Sequence, residues 1–373
     1  MTALLVLNMT VATGLINDFV FYANIVAASS SVFFPSSEPS LRIPTVFVAW
    51  LNLDIGIDVC FFDGLDAYTK TWLQLTFSLY IISLVVMVII VSECSPRFAG
   101  LIGKRDPIAT LATLILLSYS KLLSITIAAL SFAVLHYPDG SQEMVWLPDG
   151  NVKYFQGKHI ALVIVTLFIV LIGVPYTILL FLWQWLVQAP KWKVFKWTRN
   201  TKLNAFIATY HAPYNSKYRF WTGLLLLVRV ILYITAAVTV SNNPQTYLLV
   251  TSILVGGLFL LKGIIGVKVY KKSPMNIIET VIYFNLLALA VFSLYDFKTD
   301  IRKQTAIAYV FTTTTFILLV GVVIYHVTLL IKKDKTSEEV NEYPLPPVQS
   351  ANSEVTHSVV EILNPQRSSC TGN

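Results

Sequence analysis

Residues 71–92 read TWLQLTFSLYIISLVVMVIIVS, a stretch without a single charged side chain. About 20 apolar residues in a helix cross the roughly 30 Å hydrocarbon core of a bilayer. Stretches of the same kind occupy 107–135, 160–186, 220–240, 246–268, 276–295 and 305–331, with short polar segments between them. Residues 1–28 add an eighth, although Asn8, Asn17, Asp18 and Asn24 make it polar for a helix that meets lipid. The expected fold class is all-α: a polytopic transmembrane helix bundle with seven clear spans and an eighth at the N-terminus.

Composition supports that reading. Of 373 residues, 55% are hydrophobic and 13% charged, about half the charge of an average soluble domain. The net charge of +7 does not point to nucleic acid, because the bases lie in loops beside the spans. There the anionic leaflet of the membrane is the nearest partner. Cys60, Cys94 and Cys370 fall in separate segments and read as free thiols rather than a disulfide framework.

Lysine and arginine placement orients the bundle. Seventeen of the 27 bases fall in the tail and in one set of alternate loops, at 97–105, 191–219 and 268–272; seven fall in the other set. The tail is thereby expected in the cytoplasm, with residues 29–70 outside and the plasma membrane as the location. If 1–28 crosses, the chain begins inside.

Two exterior segments have their own character. Residues 43–62 carry Asp54 and Asp58, an i, i+4 pair on one helical face, and read as an interfacial helix. Residues 136–159 contain Pro138-Asp139-Gly140 and Pro148-Asp149-Gly150 around Met144-Val145-Trp146-Leu147. Proline presets φ and glycine accepts positive φ, so a small hairpin cap is expected. On the interior side, Lys191, Trp192, Lys193, Lys196, Trp197 and Arg199 interleave bases with rings, and no acid occurs between Gln188 and Arg219. Such a segment suits contact with anionic headgroups, phosphoinositides included.

Four charges fall within the spans. Lys121 and Arg229 are central, where a base costs about 2.5–3.5 kcal/mol on insertion scales and normally faces protein or water. Lys262 and Glu279 sit at similar depth on consecutive helices joined by one short turn, which favours a structural salt bridge. No phosphate-cradling glycine loop, zinc-binding His-Glu-x-x-His or nucleophile elbow occurs in the sequence, so neither enzymatic activity nor a cofactor is expected. The five histidines show no metal-ligand spacing.

Three segments together resemble one membrane region: AWLNLDIGIDVCFFDGLDAYTKTWLQ from Ala49, LATLILLSYSKLL from Leu111, and NAFIATYHAPYNSKYRFWTGLLLLVRV from Asn204. It is the C-terminal multi-pass region of large uncharacterised cell-surface proteins of sponges, cnidarians and choanoflagellates. That group is distantly similar to transient-receptor-potential-like membrane proteins. The resemblance implies a further span upstream, so that 1–28 is truncated relative to the family. Asp18 departs from the family pattern, which has glycine there. Lys121, Arg229 and 210–221 match the pattern.

The resulting organisation is an N-terminal membrane helix at 1–28, an extracellular segment at 29–70, a seven-helix domain at 71–331 and a disordered cytoplasmic tail at 332–373. The expected function is a receptor-like or channel-like membrane module of a larger cell-surface protein. One alternative is an ion channel without a re-entrant pore loop, since the exterior turn 296–304 is too short to hold one. The other is a seven-helix receptor resembling the G-protein-coupled class, although its Asp-Arg-Tyr and Asn-Pro-x-x-Tyr signatures are missing here. Expected partners are the bilayer with its anionic lipids, a second copy of the chain, and proteins that bind the tail.

Overall fold

The computed structural model describes residues 14–28, 66–94, 107–138, 140–188, 201–239 and 243–296, with scattered positions from 306 to 328. The chain divides into two compact units, 1–323 and 324–373. In the second, the described positions Ile324 and Thr328 are helical. The interfacial helix expected at 43–62, the basic segment 191–199 and the tail lie outside the described residues.

Six helices are long and apolar enough to cross a membrane. They are α2 (Ala67–Cys94), α3 (Pro107–Leu130), α4 (Lys158–Gln188), α6 (Trp221–Thr239), α7 (Pro244–Phe259, continued by a π turn at Leu260–Ile264) and α8 (Ser273–Asp296). Shorter helices among the described residues include α1 (Leu15–Ala28) and α5 (Thr201–His211). The count of clear spans among the described residues is thus six rather than seven. In 305–331 the described positions are helical, including an apolar run over Tyr309–Leu318.

Burial separates inner helices from outer ones. Only 11% of the apolar window of α2 is buried, against 56% for α3. Tyr80, Met87 and Ile90 on α2 and Ile164, Phe168 and Leu171 on α4 are exposed, which is how a bundle presents itself to hydrocarbon. By contrast, α1 is buried continuously from Ile16 to Val26, packed against α3, α6 and α8. Its asparagines and its aspartate therefore meet protein instead of lipid, which removes the objection its polarity raised.

One element is not helical. Strands β1 (Phe132–His136), β2 (Gln142–Trp146) and β3 (Asp149–Lys153) form an antiparallel sheet in sequence order. The span expected over 107–135 ends at Leu130 because the sheet satisfies the helix's last carbonyls. Trp146, wholly buried, donates its indole N–H to Ala128 O at 2.9 Å, and Tyr154 donates its hydroxyl to Leu130 O at 2.8 Å. Residues 131–135 are thereby drawn out of the membrane helix into a cap.

Beside the cap, α2 and α4 are clamped at their starts. Asp66 caps α2 by accepting from Thr69 N at 2.8 Å, and it pairs with Lys158 at 3.1 Å. Hydrogen bonds from Thr69, and then from Lys158, lower the Asp66 pKa from its usual 3.8 to about 2. The clamp's contribution is complete above the usual value and fades as pH falls through the lowered one, so it is intact at physiological pH.

At the opposite end, α4 and α6 approach closely at Gly223. A Cβ there would stand 2.4 Å from Phe181 N and 2.5 Å from its Cα. Gly223→Ala is expected to force the two helices apart, at a cost of about 1–3 kcal/mol. Scanning fluorimetry in detergent should show a lowered unfolding midpoint, whereas Gly257→Ala, whose Cβ would meet nothing within 4 Å, should leave it unchanged.

Candidate functional site

The intramembrane charges are built in from the loops at one end of the bundle. Residues 212–219 and 266–272 are joined like a short piece of sheet. Tyr214 and Tyr270 form an antiparallel bridge, Asn215 N donates to Val269 O at 2.8 Å, and Lys271 N donates to Pro213 O at 3.0 Å. The Asn215 side chain adds a 2.7 Å bond to Lys268 O. From the other side, Asn276 accepts from Tyr270 N and donates to Tyr270 O, both at 3.0 Å. This junction holds two tyrosine rings 4.9 Å apart and aims their hydroxyls at α1.

Those hydroxyls meet the polar start of α1. Tyr270 donates to Asp18 Oδ1 at 2.6 Å, and Tyr214 accepts from Asn17 Nδ2 at 2.9 Å and from Thr222 at 3.2 Å. Gly14, with φ +80°, passes so close to Tyr270 and Pro213 that no side chain fits there. The start of α1 thus lies at the same end of the bundle as 212–219 and 266–272.

Lys262 enters from the π turn of α7. Ile265 N reaches back to Leu260 O at 3.0 Å, a wider turn than α-helix makes, and Gly266 at φ +71° then releases the chain. The span expected to reach 268 ends here. A π turn reorients the side chains it carries and is common at functional positions. Lys262 forms a fully buried ion pair with Glu279 of α8 and donates to Asn276 Oδ1 at 3.0 Å. Its ammonium also stands 5.1 Å from the Tyr270 ring centroid and 5.7 Å from that of Trp221. Glu279 Oε1 accepts from Trp221 Nε1 and from the Tyr283 hydroxyl, each at 2.6 Å.

Arg229 lies eight residues beyond Trp221 on α6, about 12 Å further along the axis. It is 1% exposed, donates from Nη2 to Asn17 O at 3.3 Å and stacks over Phe21 at 5.5 Å. Its Nε and Nη1 have no hydrogen-bond partner among the described residues, nor do Asp18 Oδ2 and Asn17 Oδ1. Higher on α1, Asn24 accepts from Ser120 of α3 through its side chain and from Tyr233 of α6 through its carbonyl at 3.3 Å. Two bases and two acids therefore share one interior with no net charge.

Of the four intramembrane candidates, the structure gathers Arg229, Lys262 and Glu279 around α1. Lys121 sits at mid-helix on α3, half-buried, one residue past the Ser120 that bonds Asn24. Sequence reading took in Tyr214 and Trp221 only as part of the segment 210–221, with no role, and passed over Tyr270, Asn276 and Tyr283. Asn276, Glu279 and Tyr283 follow i, i+3 and i+7 spacing, which places them on one helical face; that signal was available. The tyrosine junction carries no comparable signal, because it joins segments more than 50 residues apart.

Around the junction, Lys217, Arg219, Lys268, Lys271 and Lys272 are exposed. No group of three or more histidine, cysteine or acidic side chains arranged to hold a metal occurs among the described residues. Compared with protein-family profiles, curated proteins and solved structures, the chain finds no match.

Removing one partner of a buried ion pair strands the other charge, typically at a cost of about 3–5 kcal/mol. Lys262→Met is accordingly expected to lower the detergent-solubilised unfolding midpoint sharply. Lys262→Met combined with Glu279→Leu should recover most of the loss, a double-mutant cycle read by thermal unfolding.

Proposed function

We propose that this multi-pass membrane protein is a receptor-like module which passes helix movement to its interior loops through the buried ion network. The observation that carries this reading is the position of Asp18. It sits on the most enclosed helix and is bonded at 2.6 Å to Tyr270, whose backbone is locked to both interior loops. A shift of α1 cannot occur without disturbing that junction. The unmet atoms on Arg229, Asp18 and Asn17 supply the second arrangement such a device requires, since buried polar groups seek partners.

The finer organisation belongs to the same proposal. Asn285 of α8 donates to Thr315 at 3.0 Å and Phe292 stacks with Phe311 at 5.9 Å, which supports a seventh span across 305–331. The N-terminal segment containing α1 would be the eighth. The tail would lie in the cytoplasm of a plasma-membrane protein, on the positive-inside asymmetry. Resemblance to the large cell-surface proteins of sponges, cnidarians and choanoflagellates supports a larger ectodomain upstream. Anionic lipids are the partner expected at the basic interior face. No catalytic role is proposed.

Orientation is checked with impermeant maleimide on intact cells. Cys60 should label, and Cys94 and Cys370 should label only after permeabilisation; the reverse pattern overturns the topology.

The receptor reading is checked in liposomes. The purified chain should carry no ion flux, and Asp18→Asn should speed amide exchange over 212–219 and 266–272 while leaving 132–153 unchanged. A selective current abolished by Arg229→Leu would establish the channel alternative instead.

A further inference from the structure

A crevice of about 370 Å³ lies between α2, α3 and α4, with Phe206 of α5 and Val230 of α6 completing its wall. Small-molecule sites commonly run from about 300 to 1,000 Å³. Along α3 its lining extends from Ile115 to Thr126, about 16 Å at the helical rise of 1.5 Å per residue. Gly173 opens the α4 wall, where the nearest atom to an added Cβ would be a Tyr119 ring carbon 3.8 Å away. Apolar side chains such as Leu79, Leu122 and Val170 make most of the surface. The shape is a long, narrow slot beside the lipid-facing surfaces of α2 and α4.

Two lining hydroxyls, those of Thr126 and Tyr176, are buried and have no hydrogen-bond partner among the described residues. Tyr176 packs its ring against Tyr119 and Tyr210, far from the start of α4, so Thr126 is the one at the sheet end. Other threonines in these helices turn back to the carbonyl four residues earlier, as Thr113, Thr166, Thr177 and Thr251 do at 2.7–2.9 Å. Thr126 lies four residues before the end of α3, about 6 Å along the axis. Its hydroxyl is thus near the sheet end of the slot.

We propose that this slot binds a sterol-class lipid, a rigid apolar body with a single hydroxyl that bonds Thr126. No charged side chain lines the crevice among the described residues, so a carboxylate or phosphate head drawn into it would lose its hydration uncompensated. A rigid body also gives up less conformational freedom on entry than an acyl chain does. The proposal stands apart from the receptor reading, since it rests on a different atom, the Thr126 hydroxyl.

The test uses the full chain in phosphatidylcholine nanodiscs with a photoactivatable, clickable sterol, and maps the labelled peptides by mass spectrometry. Label should concentrate in 107–130 and 158–188 and be displaced by excess cholesterol, with cholestane, which lacks the hydroxyl, a much weaker competitor. Thr126→Val, which is nearly isosteric, should weaken sterol binding by about three- to ten-fold, the loss of one hydrogen bond. It should also erase the preference for cholesterol over cholestane. Gly173→Leu should fill the slot and abolish specific label; where it disturbs assembly, the Thr126→Val comparison decides alone. Label spread evenly over the outward faces of α2 and α4, displacement by palmitate as readily as by cholesterol, or binding unchanged in Thr126→Val would each overturn the proposal.

Discussion

Charge buried away from water must be matched by opposite charge or by hydrogen bonds, and that requirement organises one end of this bundle. An ionised group withdrawn from water loses several kcal/mol of hydration even after relaxation. Lys262 and Glu279 recover part of that from each other, and the remaining lone pairs and protons go to Asn276, Trp221 and Tyr283. Asp18 is served by a tyrosine hydroxyl, and Arg229 by a backbone carbonyl and a ring face. Each solution recruits a different segment, so α1, α6, α7, α8 and the loops 212–219 and 266–272 are fixed relative to one another by polar bonds. Packing alone specifies less, because one apolar contact in a membrane interior is much like another.

The helices themselves were legible. Uncharged stretches such as 71–92 leave a spanning helix as the only structure that satisfies its own backbone in lipid. The pairing of Lys262 with Glu279 was legible too, because one short turn joins their helices. What could not be read was where a helix stops when another element takes over its end. Phe132–His136 is as apolar as the helix before it, and only the partner strand Gln142–Trp146 turns it into a sheet. Similarly, the end of α7 depends on a π turn and on Gly266, neither of which alters hydropathy.

The environment of α1 is the clearest case of information that sequence withholds. Asn17, Asp18 and Asn24 look unsuited to a membrane helix until their partners are known. Those partners, Tyr214, Tyr270, Ser120 and Tyr233, come from four places far along the chain. Hydropathy averages over a window and is blind to such matches. Lys121 shows the converse: its central position is plain in the sequence, and the structure holds it half-buried on α3, next to the Ser120 that bonds α1.

The enclosure of α1 has a consequence for how the protein is made. Its bonds to Tyr214, Arg229 and Tyr270 span 197 to 252 residues of sequence. Synthesis at about 5–20 residues per second leaves roughly ten to fifty seconds between emergence of Asp18 and of Tyr270. During that interval the carboxylate has no companion from its own polypeptide. The enclosed place of α1 is therefore completed only after the last of these helices has been made.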